Sequence, residues 1–272
     1  MVPGQLASDR MQRGAAFFDL DRTLMAGSSG MHFARAAYGS GMVGRRQLMR
    51  WGLEHLHYRL RGSTDERTSQ LLSQVRELLS GLPARDIKRL APGLLAGVLP
   101  RIYPQMLDEV RSHQDADRPT FIVSAAGNDL VEMLARVLGM EGGIGTQYEV
   151  DGDGLLTGHI VEPFVYGKGK VAAMRGFAEE HDIDLGASWA YSDSASDLPM
   201  LRAVGHPVAV NPDAALAEIA NAEEWRVMRF ERLGRQLAIA GATLVAAAVG
   251  GTGTVLARRR PERRGYRSSL RR

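Results

Sequence analysis

The chain has 272 residues, 44% hydrophobic and 24% charged, which suffices for one large α/β domain or for a core domain carrying an insertion. It contains no cysteine, so a disulfide framework, a thiolate metal site and a cysteine nucleophile are excluded together. The net charge of +3 averages two unlike regions: residues 1–225 carry 22 Lys+Arg against 29 Asp+Glu (net −7), and residues 226–272 carry 12 Arg against 2 Glu (net +10).

In chain order, "MVPGQLASDRMQRG" has no apolar centre and is not read as a secretory signal. "AAFFDL" (15–20) reads as a short buried strand. From about Ser29 to Gln114 the periodicity is helical: "RRQLMRWGLEHLHYRLRG" and "ERTSQLLSQVRELLSGLP" each space apolar residues by three and four and close at a glycine. "LPRIYPQMLDEVRSHQ" is a further helix with prolines near its start. Strand signals return with "TFIVSAA" (120–126), followed by a helix over "NDLVEMLARVLG" capped at Gly139. "YEVDGDGLLTGHIV" predicts a hairpin turning on Asp-Gly. Then come a helix "KVAAMRGFAEEH", a strand "SWAYSDS", a short helix "LPMLRAV" and a strand "HPVAV" before "NPD". Strands alternating with helices predict an α/β fold, a doubly wound parallel sheet, interrupted after its first strand by an all-helical insertion.

Polar residues gather where strands stop: Asp19 and Asp21, then Ser124, then Asp193 with Asp197, while Lys170 opens a helix. Open α/β sheets bind ligands at those carboxyl ends. Three carboxylates suit a hard cation such as Mg²⁺, and a lysine, a hydroxyl and helix N-termini suit phosphate oxygens. Together they point to phosphoryl transfer. Asp197 before "LPML" reads equally as a helix N-cap, and "GKGK" lacks the length and the Ser/Thr of a P-loop.

In that order and spacing, "DLDRT", "VSAAG", "GKGK" and "YSDSASD" resemble the four motifs of the haloacid dehalogenase (HAD) superfamily, in particular its subfamily IB of phosphoserine-phosphatase-like hydrolases. The resemblance covers about Ala15 to Asp213. It implies that Asp19 attacks phosphorus and forms an aspartyl-phosphate, and that Asp21 moves the protons. It further implies that Asp19, the backbone carbonyl of Asp21 and Asp193 hold Mg²⁺. Ser124 and Lys170 would grip the phosphate, with Thr23 and Asp197 in support. The family's glycine–lysine spacing favours Lys170 over Lys168.

The resemblance makes residues 1–24 and 116–225 the catalytic core and residues 25–115 a helical cap that selects the substrate. Ser28, His32 and Arg35 would share one helix face, a candidate substrate contact whose plainer reading is a solvated polar face. Phosphoserine phosphatases carry a glutamate shortly after the first motif; "MAGSSGMHFARAAYG" has no acidic residue, and Arg22 stands where a small residue is usual. The expected substrate is a small phosphorylated metabolite, with phosphoserine in question.

Leu237–Leu256 is uncharged over twenty residues, long enough to span about 30 Å of hydrocarbon, and eight Arg follow it. Residues 226–272 are therefore expected to be a basic tail with a membrane helix at 237–256, attracted to an anionic membrane surface, with the catalytic domain cytoplasmic. The alternatives are a wholly cytoplasmic enzyme, a phosphatase of a lipid-related phosphate, and a catalytically inert membrane-tethered protein of the same fold. The acidic body argues against nucleic acid as a partner.

Overall fold

The computed structural model describes residues 13–44, 76 and 79–230. The chain divides into two units, Met1–Arg229 and Phe230–Arg272, and the sheet lies wholly within the first. Strand β1 (Ala16–Phe18) is wholly buried and forms the middle of a seven-stranded sheet. Its neighbours are β2 (Thr120–Gly127) on one side and β5 (Trp189–Ser192) on the other. Beyond β2 lie β3 (Gly142–Val150) and β4 (Leu156–Val161); beyond β5 lie β6 (His206–Val210) and β7 (Arg226–Met228). All pairings are parallel except β3–β4, the hairpin expected from "VDGDGL". Its turn is held by Asp151, whose Oδ1 accepts from the backbone N–H groups of Asp153 and Leu155.

Because successive residues of a strand point to opposite faces, Phe17 and Phe18 serve different layers. Phe17, Phe121, Val123, Ala190 and Ala209 form one core with residues of three helices, Lys168–Glu180, Leu198–Leu201 and Ala214–Ala222. On the other face Phe18 stacks on Tyr191 with ring centroids 4.4 Å apart, and both rings meet His113. The helix Asn128–Val137 joins β2 to β3 and ends through Gly139 at φ 74°, the left-handed closure expected there.

Between β1 and β2 the described helices are α1 (Ser29–Gly39), α2 (Ala84–Arg89), α3 (Ala91–Val98) and α4 (Pro104–Gln114). Ala37 of α1 and Leu90 and Leu94, at the start of α3, share a small apolar core with Val43. Residues 81–84 are stitched to the hairpin through Gly81 N–H to the Leu156 carbonyl and Ala84 N–H to the Gly154 carbonyl. Helix α4, which the sequence places with the insertion, lies instead against the sheet. His113 packs among Phe18, Trp189 and Tyr191, and Glu109 accepts from the Tyr191 hydroxyl and from Arg226 at the start of β7. Helical periodicity shows that a face is apolar and says nothing about which partner it meets. The two segments "RRQLMRWGLEHLHYRLRG" and "ERTSQLLSQVRELL" lie largely or wholly outside the described residues.

No helix among the described residues is long and apolar enough to cross a membrane; the segment 237–256 lies outside them. The core is also longer than expected, since β7 adds an edge strand past residue 225.

The imidazole of His113 is buried and its Nδ1 accepts from Arg118 at 2.9 Å, so Nε2 carries the proton toward Tyr191 Oη at 2.7 Å. Burial, reinforced by the Arg118 charge, pushes its pKa down to about 4. A depressed imidazole pKa contributes stability that is present above 6.5 and is lost as pH falls toward 4. His113→Gln is therefore expected to melt below wild type at pH 7, with the gap closing as pH falls from 6.5 to 4 in paired thermal scans.

Candidate active site

The sheet register sets the site. Phe18 is level with Ile122 on one side and Tyr191 on the other, so Asp19, Ser124 and Asp193 all emerge at the carboxyl end of the three central strands. The chain then turns back at once: the N–H of Leu24 reaches the carbonyls of Asp19 and Leu20, and that of Met25 reaches Leu20. Arg22, in this turn, takes φ 63°, a left-handed conformation that costs a non-glycine residue about 1–2 kcal/mol.

Lys170 lies at the centre. Its Nζ donates to Asp19 Oδ1 at 2.6 Å and to Asp197 Oδ2 at 2.7 Å, and all three groups are buried. Thr23 Oγ1 donates to Asp19 Oδ2 at 2.9 Å, and Ser192 Oγ donates to Asp197 Oδ2 at 2.7 Å. Burial raises the Asp19 pKa to about 6 against the pull of Lys170, with Asp197 and Asp21 adding to the rise. For Lys170 burial works the other way, but the two carboxylates outweigh it and the ammonium is held charged. Lys168, two residues away, is exposed and donates to no carboxylate among the described residues. Asp197 sits at the N-cap of Leu198–Leu201 yet caps nothing with its side chain, which is committed to Lys170 and Ser192.

Asp193 is 4% exposed, and its Oδ2 accepts no aligned hydrogen bond. The Arg22 guanidinium stands 3.2 Å from that oxygen, close enough for ionic attraction but outside hydrogen-bond alignment. Burial, with the neighbouring charge of Asp19, pushes the Asp193 pKa up to about 8 despite Arg22. A buried, under-satisfied carboxylate oxygen beside a second carboxylate fits the oxygen ligands that Mg²⁺ takes.

Among the described residues no three acidic or imidazole side chains cluster to hold a metal. The Asp21 carboxylate is turned away, to the start of α1, where Oδ1 accepts from Ser29 N–H at 2.8 Å and Oδ2 from Ser28 Oγ at 3.1 Å. The backbone carbonyl is what Asp21 has left to offer a cation. Ser124 is buried, and its hydroxyl accepts from Ala126 N–H at 3.2 Å.

Of the proposed cap face, His32 and Arg35 line one cleft, while Ser28 serves Asp21 instead. Two further residues went unnoticed in the sequence. Ser192 orients Asp197, and Asp213 ties its loop to the site, accepting from Ala195 N–H at 3.2 Å and donating its own N–H to the Asp193 carbonyl. "SDS" and "NPD" were the available signals.

A buried lysine–carboxylate cradle lies at the mouth of the parallel sheet, where open α/β folds bind their ligands. The pattern of the HAD family (haloacid dehalogenase-like hydrolase) matches residues 16–202. A protein of Streptomyces azureus called "Inhibition of morphological differentiation protein" is 35% identical over 223 residues, 82% of this chain and 80% of that one. A phosphoserine phosphatase of Mycobacterium tuberculosis (strain ATCC 25618 / H37Rv) is 32% identical over 260 residues, 92% of this chain and 82% of that one. A crystal structure of a protein of unknown function from Bordetella pertussis Tohama I is 30% identical, with a TM-score of 0.69 over 80% of this chain and 98% of that one. The chain belongs to the HAD family, in its phosphoserine-phosphatase-like group, and is a phosphatase.

Two variants test the charge balance. Lys170→Met leaves Asp19 and Asp197 buried without their counter-charge and should cost about 3–5 kcal/mol in denaturant titrations. For Asp193, the raised pKa means that its stability contribution is complete below 3.8 and is lost as pH rises through about 8. Asp193→Asn should therefore melt above wild type in chelator-treated samples, by a gap that opens between pH 4 and pH 8.

Proposed function

We propose that the protein is a Mg²⁺-dependent phosphomonoesterase that works through a phosphorylated Asp19. The observation that carries this reading is the Asp19 carboxylate held between Lys170 and Thr23 at the carboxyl end of the central strand. A lone pair of that carboxylate attacks phosphorus, the bond from phosphorus to the ester oxygen breaks, and the leaving oxygen takes a proton from Asp21. Water then gives a proton back to Asp21 and attacks the same phosphorus, releasing inorganic phosphate and restoring Asp19. Lys170 holds Asp19 in place and supplies positive charge toward the phosphoryl oxygens, and Ser124 offers them a hydroxyl. Asp19, Asp193 and the Asp21 carbonyl would hold Mg²⁺, whose charge favours the phosphate dianion.

In this reading the helices between β1 and β2 that precede α4 act as a cap, closing over a small phosphorylated substrate and excluding bulk water. Near the site this segment meets the catalytic loop where Met25 is bridged to Ile102, where Ala26 N–H is bonded to the Arg101 carbonyl, and where Ser28 and Ser29 donate to Asp21.

Hydrolysis of p-nitrophenyl phosphate in the presence of Mg²⁺ is the direct test. Asp19→Asn is expected to lower kcat by about 10³-fold or more, and Asp21→Asn by about 10²–10⁴-fold. Acid-quenched wild-type protein should retain labelled phosphate that Asp19→Asn does not; equal labelling of the two would refute the covalent step.

A further inference from the structure

Helices α1 and α3 cross at small residues. Gly93 lies near Ala36, and Gly97 leaves room for the His32 ring, since a Cβ there would stand 2.6 Å from His32 Nδ1. The crossing opens into a cleft of about 450 Å³ lined by His32, Arg35 and Arg101 over a floor that includes Gly93, Ala96 and Gly97. Both guanidiniums are exposed, and among the described residues neither has a carboxylate partner. Among the described residues no acidic side chain lines the cleft.

The cleft adjoins the site. Arg101 ends the turn Leu99–Arg101, its carbonyl accepts from Ala26 N–H at 2.8 Å, and the next residue, Ile102, bridges Met25 of the catalytic loop. His32 lies one turn into α1, whose first residue, Ser29, donates to Asp21. Like charges brought together with no counter-ion repel one another, and here the effect registers on His32. Its pKa is lowered by burial and by the charges of Arg101 and Arg35, against a smaller opposing pull from Asp21. A cleft lined by two guanidiniums without a carboxylate partner among the described residues concentrates anions and pairs with carboxylate or phosphate through charge-assisted hydrogen bonds.

We propose that this cleft holds a second anionic group of the substrate, so that the preferred substrates are phosphomonoesters carrying a further carboxylate or phosphate, with no ammonium beside it. This rests on the phosphatase reading and narrows its substrate class. Among the described residues the lining offers no carboxylate to pair with an amine, so it disfavours amino-acid phosphates such as phosphoserine relative to amine-free dianionic or polyanionic esters. Arg35 and Arg101 are specificity residues that touch the remote anion and not the reacting phosphorus.

The test measures binding and turnover separately, on the full chain with Mg²⁺. Calorimetry compares methylphosphonate with 2-phosphonoacetate, 3-phosphonopropionate and propane-1,3-bisphosphonate. At least one of the last three should bind about 10- to 100-fold tighter than methylphosphonate, as expected for one or two charge-assisted bonds, and Arg101→Gln or Arg35→Gln should abolish that gain. The carboxylate and bisphosphonate arms show which anion is preferred. In turnover, each variant should raise KM by a similar factor for the matching carboxylated or bisphosphate ester. The rise in KM on p-nitrophenyl phosphate and glycerol phosphate, which lack the second anion, should be much smaller than on the matching ester, and phosphoethanolamine should be the poorest of the esters. Equal binding of all four phosphonates, or variants that weaken all four alike, would overturn the assignment even if p-nitrophenyl phosphate is hydrolysed normally. Failure to hydrolyse p-nitrophenyl phosphate would count against the phosphatase mechanism alone, because the binding arm still reads the cleft.

Discussion

The ammonium of Lys170, buried between the carboxylates of Asp19 and Asp197, is the interaction on which the rest of the site depends. A single carboxylate in that position would be forced toward its neutral form, and two would repel each other. With Lys170 between them, Asp19 has a counter-charge that favours its negative form, although burial still lifts its pKa to about 6. The geometry is enforced from three directions. Lys170 comes from the first turn of its helix, Thr23 from the turn after β1, and Ser192 from the end of β5. None of these groups is local to the others, so the pair forms only when the central strands are in register.

Asp193 shows the other side of this economy. Its second oxygen is buried and lacks an aligned partner, a state that costs stability unless something positive is drawn to it. Arg22 partly answers that need from a strained, left-handed backbone, with 46% of its side chain exposed. Strain and an under-satisfied charge within one small region are what a site tuned for binding, not for stability, accumulates. The opposite face of the sheet is settled differently. There His113, Tyr191, Glu109 and Arg226 satisfy one another and lock helix α4 and strand β7 to the central strands.

Asp21 joins the two parts of the molecule. Its carboxylate accepts from the first turn of α1, where the N-terminal end of a helix favours negative charge. The group read as the proton carrier is thereby fastened to the helix that also presents His32 and Arg35. Any displacement of α1 would change the environment of Asp21 through these two hydrogen bonds.

Much of this was legible in the chain. Alternating strands and helices pointed to the parallel sheet, and polar residues at the strand ends marked Asp19, Ser124, Asp193 and Asp197 before any geometry was known, because a strand's end is a local property. Other features are not local. Residues two apart on a helix point to nearly opposite sides, so the choice between Lys168 and Lys170 is made by which side meets the sheet. Helix α4 and the three-residue strand β7 carry no pattern that names their partners. Arg101 lies far from Arg35 in sequence, and only the crossing of α1 and α3 and the bridge from Ile102 to Met25 set them on one cleft. By itself the sequence determined which chemical groups stand at the strand ends; the tertiary structure alone decided where each side chain points, because direction is set by packing against residues distant in the chain.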